Sequence, residues 1–437
     1  MANAKFFARF VSGGSLLVGL LAASPAWALQ PLGDFLAKTE SRNFDVREAR
    51  ATALQRDAEA KTALGRILPS FTARGTYTRN QYEVIAQFPT GPLPTDVTRI
   101  TIQPQDQLDG FLQLDVPIVD IAGYARYKSL SSAADAQLAG AEVSLLEARA
   151  SVIRTYYQLV GVRALVSSAK ESVEAAEKNL TAVRDRKQVG LVPELDVERA
   201  VANLERSKQD LADAGLAVAS SVRTLETLTG MTPSEGGESG LNDDLHEEAP
   251  LAVWLSKAKS DLPQNRAADE LTKAAADGRR AAKLSFLPIL SVQGLERFTN
   301  ATSFVGRSSY YTLTASLTWR LDYSTIANVN AQAAAADAAQ VRAERTARGV
   351  SDRVYDAWTR VQAGIAKSRA ARAQAAAAQH AAQLAEDRYQ SGVSTQLDVV
   401  QAQRDAFLAK AAMLQADAEL VSYRATMRLV VNQPIDK

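Results

Sequence analysis

Few residues in this 437-residue chain are of types that do covalent or acid–base chemistry, and they are not arranged to do it. The two histidines, His246 and His380, lie far apart with no supporting ligand residues. There is no cysteine, which removes disulfides, thiolate metal sites and thiol nucleophiles together. No phosphate-binding glycine loop, no strand-to-helix G-x-G-x-x-G, no G-x-S-x-G and no H-E-x-x-H is present. The carboxylates are numerous but spread along helical faces, where solvated surface is their ordinary role. The pattern predicts no catalytic residue, no cofactor and no metal site. What stands out is a segment that occurs twice. Arg186-Lys-Gln-Val-Gly190-Leu-Val-Pro-Glu-Leu195-Asp196-Val197 returns as Arg388-Tyr-Gln-Ser-Gly392-Val-Ser-Thr-Gln-Leu397-Asp398-Val399, at an offset of 202. Each copy sets a glycine where a turn needs φ > 0 and a carboxylate in the first turn of the next helix, where the macrodipole favours it.

Two such turns need long elements to carry them. A second pair of anchors, Leu68-Pro69 with Gly75 and Leu287-Pro288 with Gly294, recurs at an offset of 219, so half the chain is duplicated. The first copy spans 29–230. Apolar residues at helical spacing predict a helix over 34–66 that Leu68-Pro69 ends. Thr and Tyr at alternating positions predict a strand over about 70–83. Pro89, Gly91, Pro92 and Pro94 mark 84–104 as a loop. Phe111, Gln113 and Asp115 alternate with Leu112, Leu114 and Val116 in a strand over about 110–117 that stops at Pro117. No proline occurs from Ile118 to Val192, and one helix is expected from Ile121 to Val189. At 1.5 Å per residue it spans roughly 100 Å. Gly190 to Pro193 turn the chain, and a return helix runs from Glu194 to Thr229, completing a hairpin over 121–229. Val197, Val201, Leu204, Leu211, Val218, Val222 and Leu225 give that helix a coiled-coil stripe, interrupted at Lys208 and Gly215.

A glycine-rich, then acidic stretch at 231–262 connects the copies, with local structure expected around Trp254. The second copy, 263–437, repeats the order: a helix to about 285, strands over about 289–298 and 309–321 about a loop, and a hairpin over 325–431. Tyr311, Leu313, Ala315, Leu317 and Trp319 alternate with Thr312, Thr314, Ser316, Thr318 and Arg320, the pattern of a barrel wall with one apolar and one polar face. Runs of alanine at 333–336 and 375–378 allow close helix approach.

Lys and Arg number 50 and Asp and Glu 49, so nothing predicts nucleic acid or another polyanion as partner. Residues 1–28 read as a signal peptide: Lys5 and Arg9, an apolar stretch over 10–23, then Ala26-Trp27-Ala28 for cleavage. No later run is long and apolar enough to span a bilayer as a helix, so a crossing has to use strands. Four strands per chain fall short of the roughly eight of the smallest membrane barrels. Two to four copies must share one. Their helices then make a hollow cylinder continuing it, with the turns at Gly190 and Gly392 at the far end.

In this order and spacing the chain resembles the TolC-like outer-membrane factors. The match rests on Leu-Pro before a strand, the duplicated Gly-x-x-x-x-Leu-Asp-Val turn, and Leu228-Thr229-Gly230 closing the first copy. The resemblance implies an α+β, mainly helical channel-tunnel. Three chains share a 12-stranded β-barrel in the outer membrane of a Gram-negative bacterium and build a long periplasmic helical barrel with an equatorial belt. It implies the channel of a tripartite efflux pump or type I secretion system, working as a homotrimer in outer-membrane lipid with a periplasmic adaptor and an inner-membrane pump. By this resemblance Val189, Gly190 and Leu191, and Ser391, Gly392 and Val393, form tips that meet the adaptor. Asp398 falls at an aspartate ring narrowing the periplasmic entrance, and Asp196 and Tyr389 fall in a latch that closes it. Two positions depart from that pattern, Ser394 in place of a latch arginine and Gln401 in place of a second aspartate. A periplasmic adaptor or a structural coiled-coil protein of the envelope is the alternative. The duplication and the paired strands weigh against both.

Overall fold

The computed structural model describes residues 29–93, 97–234, 241, 243–258 and 262–434, so the expected signal peptide lies outside the described residues. Among the described residues, eight α-helices and six strands follow the duplicated order. The long helices α3 (Ile121–Gln188) and α7 (Tyr323–Gln390) are each 68 residues, about 100 Å at the α-helical rise. Their starts, ends and caps recur at the offset of 202. Asp120 and Asp322 both stand at the N-cap, and each accepts a hydrogen bond from the backbone N–H three residues on. The other offset, 219, exceeds 202 by 17 residues, and the structure shows where the first copy holds them. Between its two sheet strands it carries a ribbon of β2 (Val84–Pro89) and β3 (Val97–Gln103), where the second copy has one short 3-10 turn at Ser303–Val305. The expected loop over 84–104 is therefore a hairpin. Pro89 falls at a strand end and Pro92 between the strands, where no ladder N–H is required.

The return helices α4 (Glu194–Thr229) and α8 (Gln396–Val430) run back along α3 and α7. They cover only part of the long helices. The remainder is covered by α2 (Phe44–Gly65) against α3 and by α6 (Pro263–Leu284) against both α3 and α7. The end-to-end junction explains one departure from the expected helix over 34–66. That helix is broken at Asn43 into α1 (Leu32–Arg42) and α2. Asn43 leaves helical geometry at ψ 133°, caps α2 by accepting from Asp45 and Val46, and donates to the Leu228 carbonyl at 3.0 Å. Arg42 donates to the Gly230 carbonyl at 2.9 Å. Orphan carbonyls at the end of α4 are thus met by donors from the helix break.

The stripe on α4 also differs from expectation. Val197, Leu204 and Leu225 are buried, but the second buried row is Ala200, Ser207, Ala214 and Ser221. Lys208 and Gly215 are exposed and do not interrupt it. Small side chains let α3 approach α4, so the 3-4 spacing is unbroken but one row is written in Ala and Ser rather than Val.

Four strands, β1 (Ser70–Arg79), β4 (Asp106–Val119), β5 (Ile289–Thr299) and β6 (Ser309–Thr318), form one antiparallel sheet in that order. Four bounds shift from those expected. β1 stops at Arg79, short of 83, and β6 stops at Thr318, short of 321. β4 starts at Asp106 and passes through Pro117, where the register with β5 slips, so a proline without an N–H sits at an irregularity. The register places Phe71, Leu114, Gly294 and Leu313 in one row and Ala73, Leu112, Glu296 and Tyr311 in the next row on that face. Phe71, Leu114, Tyr311, Leu313 and Leu317 are exposed. The opposite face carries Thr72, Gln113, Leu295 and Thr312 in one row and Ser70, Asp115, Gln293 and Thr314 in another. The sheet is thus apolar on one side and mainly polar on the other. β1 and β6 have no partner strand beyond the sheet among the described residues. No helix among the described residues is long and apolar enough to cross a membrane.

Candidate functional site

The site lies at the ends of the hairpins, farthest from the sheet. Each turn is closed the same way. Gly190 and Gly392 take φ of +78° and +80°, which an L side chain rarely adopts. The residue after each glycine, Leu191 or Val393, donates back to the Arg186 or Arg388 carbonyl at 2.9 Å. A Cβ on either glycine would meet nothing within 4 Å, so the backbone angle and not crowding selects glycine. The first tip presents Val189, Leu191 and Leu195 to solvent, the first two at 70% and 73% exposure. The second presents Ser391 and Val393, with Leu397 less exposed than its counterpart Leu195, and is less apolar. Lys187 and Glu194 form an ion pair across the first turn.

The structure brings Tyr389 and Asp196 together and adds a residue that sequence reading passed over as part of the repeat. Tyr389 is buried in a cluster with Leu180, Val183, Val197, Ala200 and Val399, drawn from three other helices. The Arg186 guanidinium stands 4.7 Å from its ring centroid. The same guanidinium donates to the Tyr389 and Gln390 carbonyls at 3.2 and 3.4 Å, joining the end of α3 to the end of α7. Among the described residues, the buried Tyr389 hydroxyl has no hydrogen-bond partner. Burial pushes its pKa up, the Arg186 charge opposes this, and the Asp196 charge adds to the rise. Asp196 is itself held by Arg199 at 3.3 Å. The signal for Arg186 was present in the duplication, since the two copies share it with Arg388.

Asp398 is not part of this group. It is exposed, and one carboxylate oxygen accepts from the Thr395 backbone at 2.9 Å, the Thr395 hydroxyl at 2.8 Å and the Ser394 hydroxyl at 3.0 Å. With the Asp398 N–H donating to Thr395 Oγ1, this is a capping box opening α8. These hydrogen bonds, the Thr395 backbone first, hold its carboxyl below the usual carboxylate range. Ser394 therefore serves the cap, while Gln401 is exposed one turn on. Beside the cap, buried Gln396 donates to Asn179 at 3.1 Å and ties α8 to α3.

One other polar group is dense. Asp243, Asp244 and His246 approach closely enough to hold a cation. Arg424 supplies positive charge to two of these three residues and to Glu248. It donates to Glu248 at 2.6 Å, to Asp243 at 3.2 Å, to the His246 carbonyl at 2.7 Å and to His246 Nε2 at 2.9 Å. This network straps the segment before α5 (Leu251–Lys257) onto α8, and Trp358 donates to the Ala249 carbonyl beside it.

A sheet with one apolar and one mainly polar face, two edges unpaired among the described residues, and two helices about 100 Å long has the pattern of part of a barrel wall carried on a helical extension. The chain belongs to the outer membrane efflux protein family, whose family model matches residues 36–231 and 254–433. It is 25% identical over 297 residues to the toluene efflux pump outer membrane protein TtgC of Pseudomonas putida, covering 63% of this chain and 59% of that relative. It is 25% identical over 322 residues to the outer membrane protein OprJ of Pseudomonas aeruginosa, covering 70% of this chain and 66% of the relative. The fold matches that of the outer membrane channel CmeC of Campylobacter jejuni with a TM-score of 0.76 at 18% identity, covering 98% of this chain and 94% of that one.

Proposed function

We propose that three copies of this chain assemble in the outer membrane as the exit channel of a tripartite efflux pump or type I secretion system. The channel conducts passively what an inner-membrane pump and a periplasmic adaptor deliver. The observation that carries this is the sheet. Its apolar face suits lipid, its polar face suits an aqueous lumen, and the open edges of β1 and β6 are tolerated in a bilayer only if another copy pairs with them. Four strands from each of three chains close a 12-stranded barrel, and the helical hairpins continue it as a tunnel. The tips at Val189-Gly190-Leu191 and Ser391-Gly392-Val393 are the adaptor contacts, with the three exposed apolar side chains of the first tip as its stronger half. Asp196, Tyr389 and Arg186 hold the two hairpin ends together as a latch, and three copies of Asp398 line the entrance as a charged ring. The test is heat-modified migration of protein from outer-membrane fractions together with conductance in planar bilayers. Unheated trimers that form channels are expected. A protein that stays monomeric in the membrane overturns the reading.

A further inference from the structure

One row of the polar sheet face differs in kind from its neighbours. The register aligns Arg74 on β1, Phe111 on β4, Arg297 on β5 and Tyr310 on β6, one residue from each strand. Phe111 has a guanidinium against it from each side, Arg74 at 5.0 Å and Arg297 at 5.5 Å from the ring centroid. The two arginines are not equivalent. Arg297 donates twice to Asp109, at 2.7 and 3.0 Å, and once to the Tyr310 hydroxyl at 3.0 Å. Its charge is neutralised and its donors are largely used. Arg74 is exposed, and among the described residues no carboxylate pairs with it. It lies on the open edge strand. The polar face of β6, which a neighbouring copy would bring to that edge, offers Tyr310, Thr312, Thr314, Ser316 and Thr318, and no carboxylate in any register. A guanidinium stacked on a ring keeps its N–H donors in its own plane, free to take a carboxylate.

We propose that this row forms, three times round the barrel, an anion-binding belt that selects amphiphilic aromatic anions, with Arg74 taking the carboxylate and Phe111 and Tyr310 the aromatic ring. The belt rests on the trimeric-barrel reading above. It is distinct from the acidic groups of the channel. The nearest carboxylate on the same face, Asp109, is neutralised by Arg297; the next is Asp115, which accepts from Gln113 at 2.7 Å and Gln293 at 2.9 Å. Asp115 lies four residues along β4 toward the helices, on the order of 14 Å at ~3.4 Å per residue. That exceeds a Debye length of about 10 Å at 0.1 M salt, so the basic belt and the Asp115 ring act on a passing solute one after the other.

The test uses the full chain in planar bilayers, with 1-naphthoate and acetate as probes added on the barrel side. Block by naphthoate at a concentration at least about tenfold below that for acetate is expected, the difference being what ring contact adds to charge. Arg74→Gln should raise the naphthoate concentration needed by about tenfold and shift the reversal potential under a salt gradient toward cations. Phe111→Leu should bring naphthoate close to acetate while leaving the salt reversal potential in place, which a merely structural role for the ring would not do. Variants that conduct normally and are blocked as the unaltered protein is overturn the belt alone. A protein that forms no channels overturns the barrel reading and the belt with it.

Discussion

Removing the Arg186 guanidinium should loosen the join between the two hairpins by a predictable amount. Arg186→Met keeps an aliphatic stem and deletes two hydrogen bonds to the last carbonyls of α7, at 3.2 and 3.4 Å, and a cation–π contact at 4.7 Å. Hydrogen bonds from a charged donor contribute about 1.5–3 kcal/mol when well formed, and these are long and partly solvated, so about 1 kcal/mol each is appropriate. The ring contact adds about 0.5–1 kcal/mol at a partly exposed site. The sum is on the order of 2–3 kcal/mol, or roughly 30- to 150-fold in the opening equilibrium of each chain. Hydrogen exchange reads this directly. The Ser391 and Gly392 amides bond to Asp387 and Tyr389 at the end of α7, and this turn frays when its carbonyls lose Arg186. Their exchange should accelerate by about that factor while amides in the middle of α7 are unchanged. In bilayers the variant should show a larger or more often open conductance. In a double-mutant cycle with Tyr389→Leu the effects should fall short of additive, since both remove the same contact. Exchange at Ser391 and Gly392 within about twofold of the unaltered protein would refute the reasoning and reduce Arg186 to a surface charge.

Four further outcomes follow from the same geometry. Gly190→Trp should leave unheated trimers intact and abolish export with a partner pump, because its φ of +78° strains any L side chain at the tip proposed to meet the adaptor; full export at normal expression would unseat the docking assignment. Asp398→Asn keeps an oxygen for the Thr395 amide and removes the charge, whereas Asp398→Ala removes both, so loss of cation selectivity in both but fraying of α8 only in the second would separate ring from cap. Because the Asp398 carboxyl is held below its ordinary range, the cap stabilises the helix at and above the usual carboxylate pKa and is lost as pH falls through the lowered value; protection of the Asp398 amide should fade only in acid. Arg424→Ala leaves Asp243 and Glu248, each 8% exposed, without their counter-charge and should cost about 3–5 kcal/mol, seen as a lowered urea or thermal midpoint; an unchanged midpoint would show the network to be inert.

The sequence by itself determined the elements whose cause is local. Proline-free runs after Asp120 and Asp322 can only continue as helices, and they do so for 68 residues each. Gly190 and Gly392 mark turns because φ > 0 is a property of the residue, and alternation along β6 gives two faces because the strand period is two. The duplicated Arg, Gly and Asp located the hairpin ends where Tyr389 and Asp196 meet. The tertiary structure decided what depends on a neighbour distant in sequence. Asn43 breaks a run that reads as one helix, because the end of α4 needs a donor there. Ala200, Ser207, Ala214 and Ser221 are buried because α3 comes close to them, which hydropathy does not record. Asp398 spends its hydrogen bonds on a cap shaped by Thr395. Arg74, Phe111, Arg297 and Tyr310 become a row only through strand register, which pairs residues nearly two hundred positions apart, and no local property of any one of them specifies the others.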